Sequence, residues 1–310
     1  MEGASLAKES GCDFIVGLGG GSSMDAAKAI AVMASNPGDY WDYNSGKTGK
    51  RQPLVCDPLP IVEITTTAGT GSEVDPTAVI TKEDTNEKCG FFHEKIYPVL
   101  SVVDPDLMMT VPPMLTAYQG FDVLFHAAES VINKYEHPMG EMFALKAIEY
   151  IAQYLPAAVK DGSDSEARSY VALANSMAAY FMLCTSEHSM EHALSAYHSD
   201  LPHGAGLIMI SLAYHSHFVK AHACDDLYIK MARAMGKADA DKAEDFLELL
   251  LQLQKDCGVA QLKMSDYGVD SNDFSKYCVN AREAMGGLFA CDPAPLSDED
   301  IIRIYKESYR

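Results

Sequence analysis

The sequence lacks any run of eighteen apolar residues, any C-x-x-C pair, and enough bases to balance its acids. Without such a run no membrane-spanning helix is expected, and the opening MEGASLAKESG lacks the basic and apolar regions of a signal peptide. Eight cysteines are scattered between Cys12 and Cys291, with no spacing that suits a zinc ribbon or a secreted disulfide framework. Reduced, mostly packed thiols in a cytoplasmic protein are the expectation. Lys and Arg number 24 against 44 Asp and Glu, a net charge of −20. Such a surface repels polyanions, which argues against DNA, RNA and anionic membranes as partners. No internal repeat or low-complexity linker interrupts the chain.

What is there is apolar bulk. With 310 residues, 48% of them hydrophobic, the chain can bury a large core, and two domains are the expectation at this size. From residue 12 to about 110, short apolar runs alternate with helix-like stretches: CDFIVGLGGGSS reads as strand and turn, MDAAKAIAVMAS as helix, LPIVEITTT as strand, TAVIT and VLSVVDP as further strands. That alternation predicts an α/β unit with a parallel or mixed sheet. Beyond VPPMLTAYQG the apolar spacing turns helical, as in GEMFALKAIEYIAQYLPAAVKDG, and the rest reads as all α. Pro112 and Pro113 mark the boundary, since proline ends a strand or opens a helix. The predicted division is an incomplete α/β domain over 1–111 and an all-helical domain over 112–310. A doubly wound nucleotide-binding unit needs strands on both sides of its phosphate turn. The first convincing strand, DFIVGLG, arrives a dozen residues in, so either the sheet is small or the chain is missing its beginning.

Two loops have the composition of a ligand cradle. In IVGLGGGSSMDAAKAIA, Gly17, Gly19, Gly20 and Gly21 follow an apolar strand and Ser22 or Ser23 can cap the helix behind them. Glycines let a ligand approach the backbone, and free amides with the helix dipole favour a phosphate. Ser22 holds the third glycine position of a G-x-G-x-x-G pattern, so the match is by position and composition. Asp25 and Lys28 lie on the first helical turns, as surface charges or as groups closing the site. In EITTTAGTGSEVDPT, hydroxyls and exposed amides from Thr65 to Ser72 suit a ribose, phosphate or amide, a signal weak by itself.

The third constellation is built on histidine. In FDVLFHAAES, Asp122 and His126 stand four residues apart, so on a helix their side chains meet. His188 and His192 repeat the spacing in SEHSMEHAL, and His203 follows in LPHGAG. One carboxylate with imidazoles suits a divalent first-row metal and does not select among iron, zinc, manganese and cobalt.

The ordered set GLGGGSSMDAAKA, ITTTAGTGSEV, DPDLMMTVPPMLTAYQGFDVLFHAAE and HSMEHALSAYHSDLPHG resembles the iron-containing (group III) alcohol dehydrogenases, which have a dehydroquinate synthase-like fold. The resemblance implies an N-terminal α/β domain that binds NAD or NADP and a helical domain holding one metal, Fe2+ or alternatively Zn2+, in the cleft between them. It implies Asp122, His126, His188 and His203 as metal ligands. Gly19, Gly20, Gly21 and Ser22 would hold the pyrophosphate with Asp25 close by, Thr65, Thr66, Thr70 and Ser72 would line the nucleotide, and Lys88 would contact its ribose. The separation of His188 and His203 is one residue longer than in many relatives, so His192 or His198 could compete as a ligand. The chain resembles an N-terminally shortened member, and the open strand edge this implies makes a homodimer an expectation.

The expected reaction interconverts a primary alcohol and its aldehyde, with hydride exchanged with nicotinamide. His192 is the candidate for moving the proton, with support of a ligand as its other reading. Glu129 is expected to be an ion-pair partner rather than a catalyst. Two alternatives share the fold, a zinc polyol dehydrogenase and a dehydroquinate synthase-like enzyme; a third is a metal-binding remnant without activity. The resemblance implies that the choice between NAD and NADP is usually set at the end of a strand expected to be missing here, so both stay open.

Overall fold

The computed structural model describes residues Met1–Arg310. A helix not anticipated from sequence, α1 (Glu2–Glu9), precedes strand β1 (Ile15–Gly19) and helix α2 (Gly21–Ser35). A short helix α3 (Tyr40–Tyr43) and a long loop lead to β2 (Ile61–Thr65), the hairpin strands β3 (Thr77–Lys82) and β4 (Glu87–Phe92), and β5 (Leu100–Val103). Strands β1, β2 and β5 form a three-stranded parallel sheet in the order β1-β2-β5, with Ile15 opposite Ile61 and Gly19 opposite Thr65. Helix α2 lays Met24, Ala27, Ala31 and Val32 onto one face of this sheet, the spacing a core-facing helix needs. The other face carries Val16, Leu18, Leu100 and Val102, all substantially exposed.

The sequence placed TAVIT in one sheet with its neighbours. In the structure β3 pairs only with β4, as a separate antiparallel hairpin. Its connection is four residues long and closes on Asn86 at φ 50°, a left-handed conformation asparagine tolerates. A connection that short permits only an antiparallel return. β4 itself, EKCGFF, was not anticipated, because Glu87 and Lys88 hide the alternation that buries Glu87, Cys89 and Phe91.

The second half is helical throughout: α4 (Pro113–Ile132), α5 (Pro138–Lys160), α6 (Ser165–Tyr180), α7 (Ser186–Tyr197), α8 (His203–Lys220), α9 (Asp225–Ala234), α10 (Glu244–Asp256), α11 (Phe274–Met285) and α12 (Asp298–Ser308). Pro112 is the N-cap of α4 and Pro113 its first residue, the position where a missing N–H costs nothing. From Thr116 onward α4 is buried on nearly every side, wrapped by α5, α6 and α8. A helix apolar all round belongs in a core, and the polar groups it carries there require partners.

Candidate metal centre

Asp122 and His126 lie one turn apart on α4, and both are buried. His188 comes from the first turns of α7, and His203 is the first residue of α8. Gly204 explains how α8 reaches α4: a Cβ there would fall 2.1 Å from the carbonyl oxygen of Tyr118 on α4, so only glycine allows the two backbones to touch. The helix starts thereby converge on one atom. Oδ1 of Asp122 lies 3.4 Å from Nε2 of His203, 3.5 Å from Nε2 of His188 and 3.7 Å from Nε2 of His126. Ligands tetrahedrally arranged at about 2.1 Å from one ion stand about 3.4 Å from each other. Asp122 Oδ1 and His188 Nε2 are buried without a hydrogen-bond partner, which the four donors would resolve by sharing a cation. The residues therefore fit a divalent ion.

The two loops singled out in the sequence meet nearby, at the carboxyl end of the parallel sheet, where open α/β sheets bind ligands. Thr66 N donates to the Gly19 carbonyl at 3.0 Å. Gly20 caps α2 without a side chain, leaving the first amides of the helix for another acceptor. A Cβ on Gly21 would meet Thr70 Cγ2 at 2.5 Å, and one on Gly20 would meet Thr67 Cγ2 at 3.1 Å, so the glycine turn rests directly on the threonine loop. That loop is in turn seated on the helices: Gly69 abuts Gln119 of α4, and Gly71, at φ 66°, abuts Ala179 of α6.

Not every residue expected at the nucleotide faces outward. Asp25 accepts from Ser72 Oγ at 2.7 Å and from Val79 N at 3.0 Å. Lys28, fully buried, donates to Ser72, Asp75 and Thr77, with Nζ 3.0 Å from Asp75 Oδ1. Asp25, Lys28 and Ser72 thus tie α2 to the threonine loop. Lys88 reaches from β4 across to α7, donating to Ser195 Oγ at 2.9 Å and lying 3.6 Å from Glu191. Thr65 spends its hydroxyl on the Thr67 carbonyl.

Residues 1–105 match the family described as iron-containing alcohol dehydrogenase, and residues 116–309 match the description of the Fe-containing alcohol dehydrogenase family's C-terminal part. The chain belongs to the iron-containing alcohol dehydrogenase family. By class it is an oxidoreductase acting on alcohols. It is 32% identical to alcohol dehydrogenase 4 of Schizosaccharomyces pombe over 99% of its own length and 71% of that protein's. It is 45% identical to the NAD-dependent methanol dehydrogenase of Bacillus methanolicus, where the match covers 57% of this chain and 45% of the relative. Among solved structures, an archaeal halo-thermophilic alcohol dehydrogenase from a Red Sea brine pool superposes with a TM-score of 0.93 at 34% identity, covering 99% of this chain and 80% of that one.

In this alcohol dehydrogenase, buried carboxylates stand behind two of the four candidate ligands. Glu129, on the same face of α4 as His126, contacts Nδ1 of His188, and Glu191 on α7 contacts Nδ1 of His203. Glu129 is fixed in turn by the amide and hydroxyl of Thr185, whose hydroxyl meets Tyr214 at 2.8 Å. Glu129, expected from the sequence to be an ion-pair partner, pairs with His188. Glu191 was missed. Its only signal was its place three residues after His188, on the same face of α7.

Electrostatics follow from this packing. Burial by itself would raise Asp122, but the imidazoles of His126, His203 and His188 close around it hold it well below the usual carboxylate range. Burial pushes His126 down to about 4. It opposes protonation of His188 too, yet Cys184, Glu129 and Asp122 together hold that ring well above the ordinary histidine value. His192 is pushed well down, first by burial and then by Lys88 and His203. Its Nδ1 lies 2.9 Å from Met285 Sδ and its ring centre 5.1 Å from that of His203, so it borders the centre. His198 caps the end of α7 and bonds Tyr277 OH at 2.8 Å, and the non-helical segment 198–202 carries the chain from there to His203.

Proposed function

We propose that this chain interconverts a primary alcohol and its aldehyde, using one divalent metal, Fe2+ first among the candidates, and a nicotinamide dinucleotide. The observation that carries the reading is the convergence of three imidazole nitrogens on Asp122 Oδ1 at 3.4–3.7 Å, beside the carboxyl end of a parallel sheet with a glycine turn. Asp122, His126, His188 and His203 would hold the ion. When bound there, it supplies a Lewis acid that polarises a substrate oxygen. The dinucleotide supplies the hydride chemistry, and the protein supplies position.

Each of the chain's own groups then has a task. The amides at the start of α2, opened by Gly20 and Gly21, face the position a pyrophosphate takes, with Gly19 and Ser22 flanking them. Thr66 and Thr70 offer side chains from the adjoining loop, while Asp25, Thr65 and Ser72 hold that loop to α2 and to itself. Lys88 spans the edge of the same cleft and is the candidate contact to a ribose. His192, kept neutral by burial, is placed to accept a proton as an alcohol is oxidised and to return it in reduction. NAD rather than NADP is supported by the NAD-dependent methanol dehydrogenase among the relatives.

The test is a titration of the anaerobically iron-loaded chain with NADH and with NADPH, followed by nicotinamide fluorescence, alongside butanal reduction. NADH binding with turnover, and turnover alone abolished in Asp122→Ala, is the expected result. Failure to bind either nucleotide, or unchanged turnover in the variant, overturns the reading.

A further inference from the structure

Beside the four candidate ligands stands a sulfur. Sγ of Cys184 and one ring nitrogen each of His126 and His188 all lie within 4.8 Å of one another, a set distinct from that of Asp122, His188 and His203. His188 belongs to both sets, and its buried Nε2 has no hydrogen-bond partner. His126 is 5% exposed, and its buried Nδ1 is likewise unpartnered. Cys184 sits half-buried just before α7 and forms no disulfide. Its backbone is fixed on both sides: Asn133 Nδ2 donates to the Leu183 and Cys184 carbonyls at 3.1 and 3.2 Å, and Thr185 is bound to Glu129.

We propose that Cys184 is a thiolate donor to the metal centre, giving it a second, sulfur-containing mode of coordination with His126 and His188 for thiophilic ions such as Zn2+ and Cd2+. Sulfur and nitrogen bound tetrahedrally to one zinc ion, at about 2.3 and 2.0 Å, stand about 3.5 Å apart. A separation within 4.8 Å closes to that by side-chain rotation, with the backbone where it is. A soft thiolate draws zinc and cadmium, whereas carboxylate with imidazole serves Fe2+ and Mn2+ as well, so the two sets divide ions by softness. As the metal–sulfur bond forms the thiol proton passes to solvent, and no electron is transferred. A centre that slides toward Cys184 pulls the ion away from Asp122, so thiophilic metals would hold this enzyme in a coordination different from that of iron.

The inference rests on the metal-centre reading, and the experiment separates the two. The full chain, stripped with chelator, is titrated with Co2+ and with Cd2+ while near-ultraviolet absorption reports sulfur-to-metal charge transfer. In parallel, alkylation of Cys184 by iodoacetamide is timed by peptide mass spectrometry with and without Zn2+. Expected are a charge-transfer band at one metal per chain, its loss in Cys184→Ser and Cys184→Ala, and at least about tenfold slower alkylation of Cys184 with Zn2+ present. Chelator competition should show the preference for Zn2+ over Mn2+ falling about tenfold in either variant, the scale of a lost metal contact. Stoichiometric metal without a band, a band that survives both substitutions, or alkylation indifferent to Zn2+ overturns the role of Cys184 and leaves the centre intact. No metal bound at all overturns the centre itself. Should the variants fail to fold, the alkylation of the unaltered chain decides.

Discussion

The imidazole of His188 lies between two carboxylates, with Nδ1 against Glu129 and Nε2 3.5 Å from Asp122. Glu129 is an acceptor held by Thr185, so it keeps a proton on Nδ1 and turns Nε2 toward Asp122, where that nitrogen's own proton would be displaced by an arriving cation. His203 repeats the arrangement with Glu191. Two of three imidazoles therefore stand in one fixed orientation before any ion arrives.

Removing that support should loosen the ion. Glu129→Leu is expected to weaken metal affinity about 10- to 100-fold, and Glu129→Gln, which keeps an acceptor oxygen, to recover much of it. Competition with a chelator measures both. Equal affinity in the leucine variant and the parent would remove Glu129 from the centre.

Metal removal should also cost stability, because three buried donors and the half-buried His203 then face one another unshielded. An ion held at a hundred times its dissociation constant contributes about 2.7 kcal/mol. Scanning calorimetry with and without chelator should show the melting temperature fall on stripping. Asp122→Asn should melt at one temperature in both conditions.

Gly204→Ala tests how α8 is docked. A methyl group 2.1 Å from the Tyr118 carbonyl oxygen cannot be relieved by turning a side chain, so α8 must back away from α4 and carry His203 with it. Overpacking of this kind costs about 1–3 kcal/mol. The expected result is a lower denaturant midpoint together with weaker metal binding.

Lys28 is the hub of the first half. Its ammonium is fully buried, and Lys28→Met would strand Asp75 and the carbonyls of Ser72 and Thr77. Breaking a buried pair from one side costs about 3–5 kcal/mol. Loss of nucleotide binding should accompany the loss of stability, since the same contacts hold the threonine loop on α2.

Stability should fall as the solution turns basic. Burial raises Glu63 from 4.5 to about 8, with neither carboxylate oxygen hydrogen-bonded. A carboxyl whose folded pKa is raised stabilises fully below its unfolded value and loses that contribution as pH rises through the folded one. For Glu63 the window runs from about 4.5 to about 8, a difference of up to about 5 kcal/mol. Asp25, raised by burial to about 6, and Asp292, raised by burial to about 7, act in the same direction. Denaturant midpoints taken from pH 5 to pH 8.5 should decline, and Glu63→Gln should decline less. A parent and variant with parallel slopes would contradict this.

Much of the architecture was legible because its signals are local. Strand β1, the glycine turn and α2 follow from a run of apolar residues, four glycines and an alanine-rich helix; α4 follows from two prolines and helical spacing. Asp122 with His126 could be paired from sequence, since one turn of helix brings them together. What stayed hidden was relational. Glu191 is a glutamate among polar neighbours until α8 brings His203 against it. Cys184 carries no motif, and its meeting with His126 depends on how α7 is pinned to α4. Asp25 and Ser72 read as ligand groups, whereas the fold turns each toward the other. The β3–β4 hairpin was masked by Glu87 and Lys88, whose charges belong to contacts with distant residues.

The parallel sheet has α2 on one side only, and its other side presents Val16, Leu18, Leu100 and Val102 in two aligned rows. Parallel strands are normally shielded on both faces. For the bench worker this means that residues 1–310 by themselves present a greasy face. A fluorescent dye that seeks apolar surface would glow with it before any heating, so dye-based melting curves would begin bright and understate the transition. Glass, plastic and phenyl resins would retain it, and a trace of mild detergent would release it.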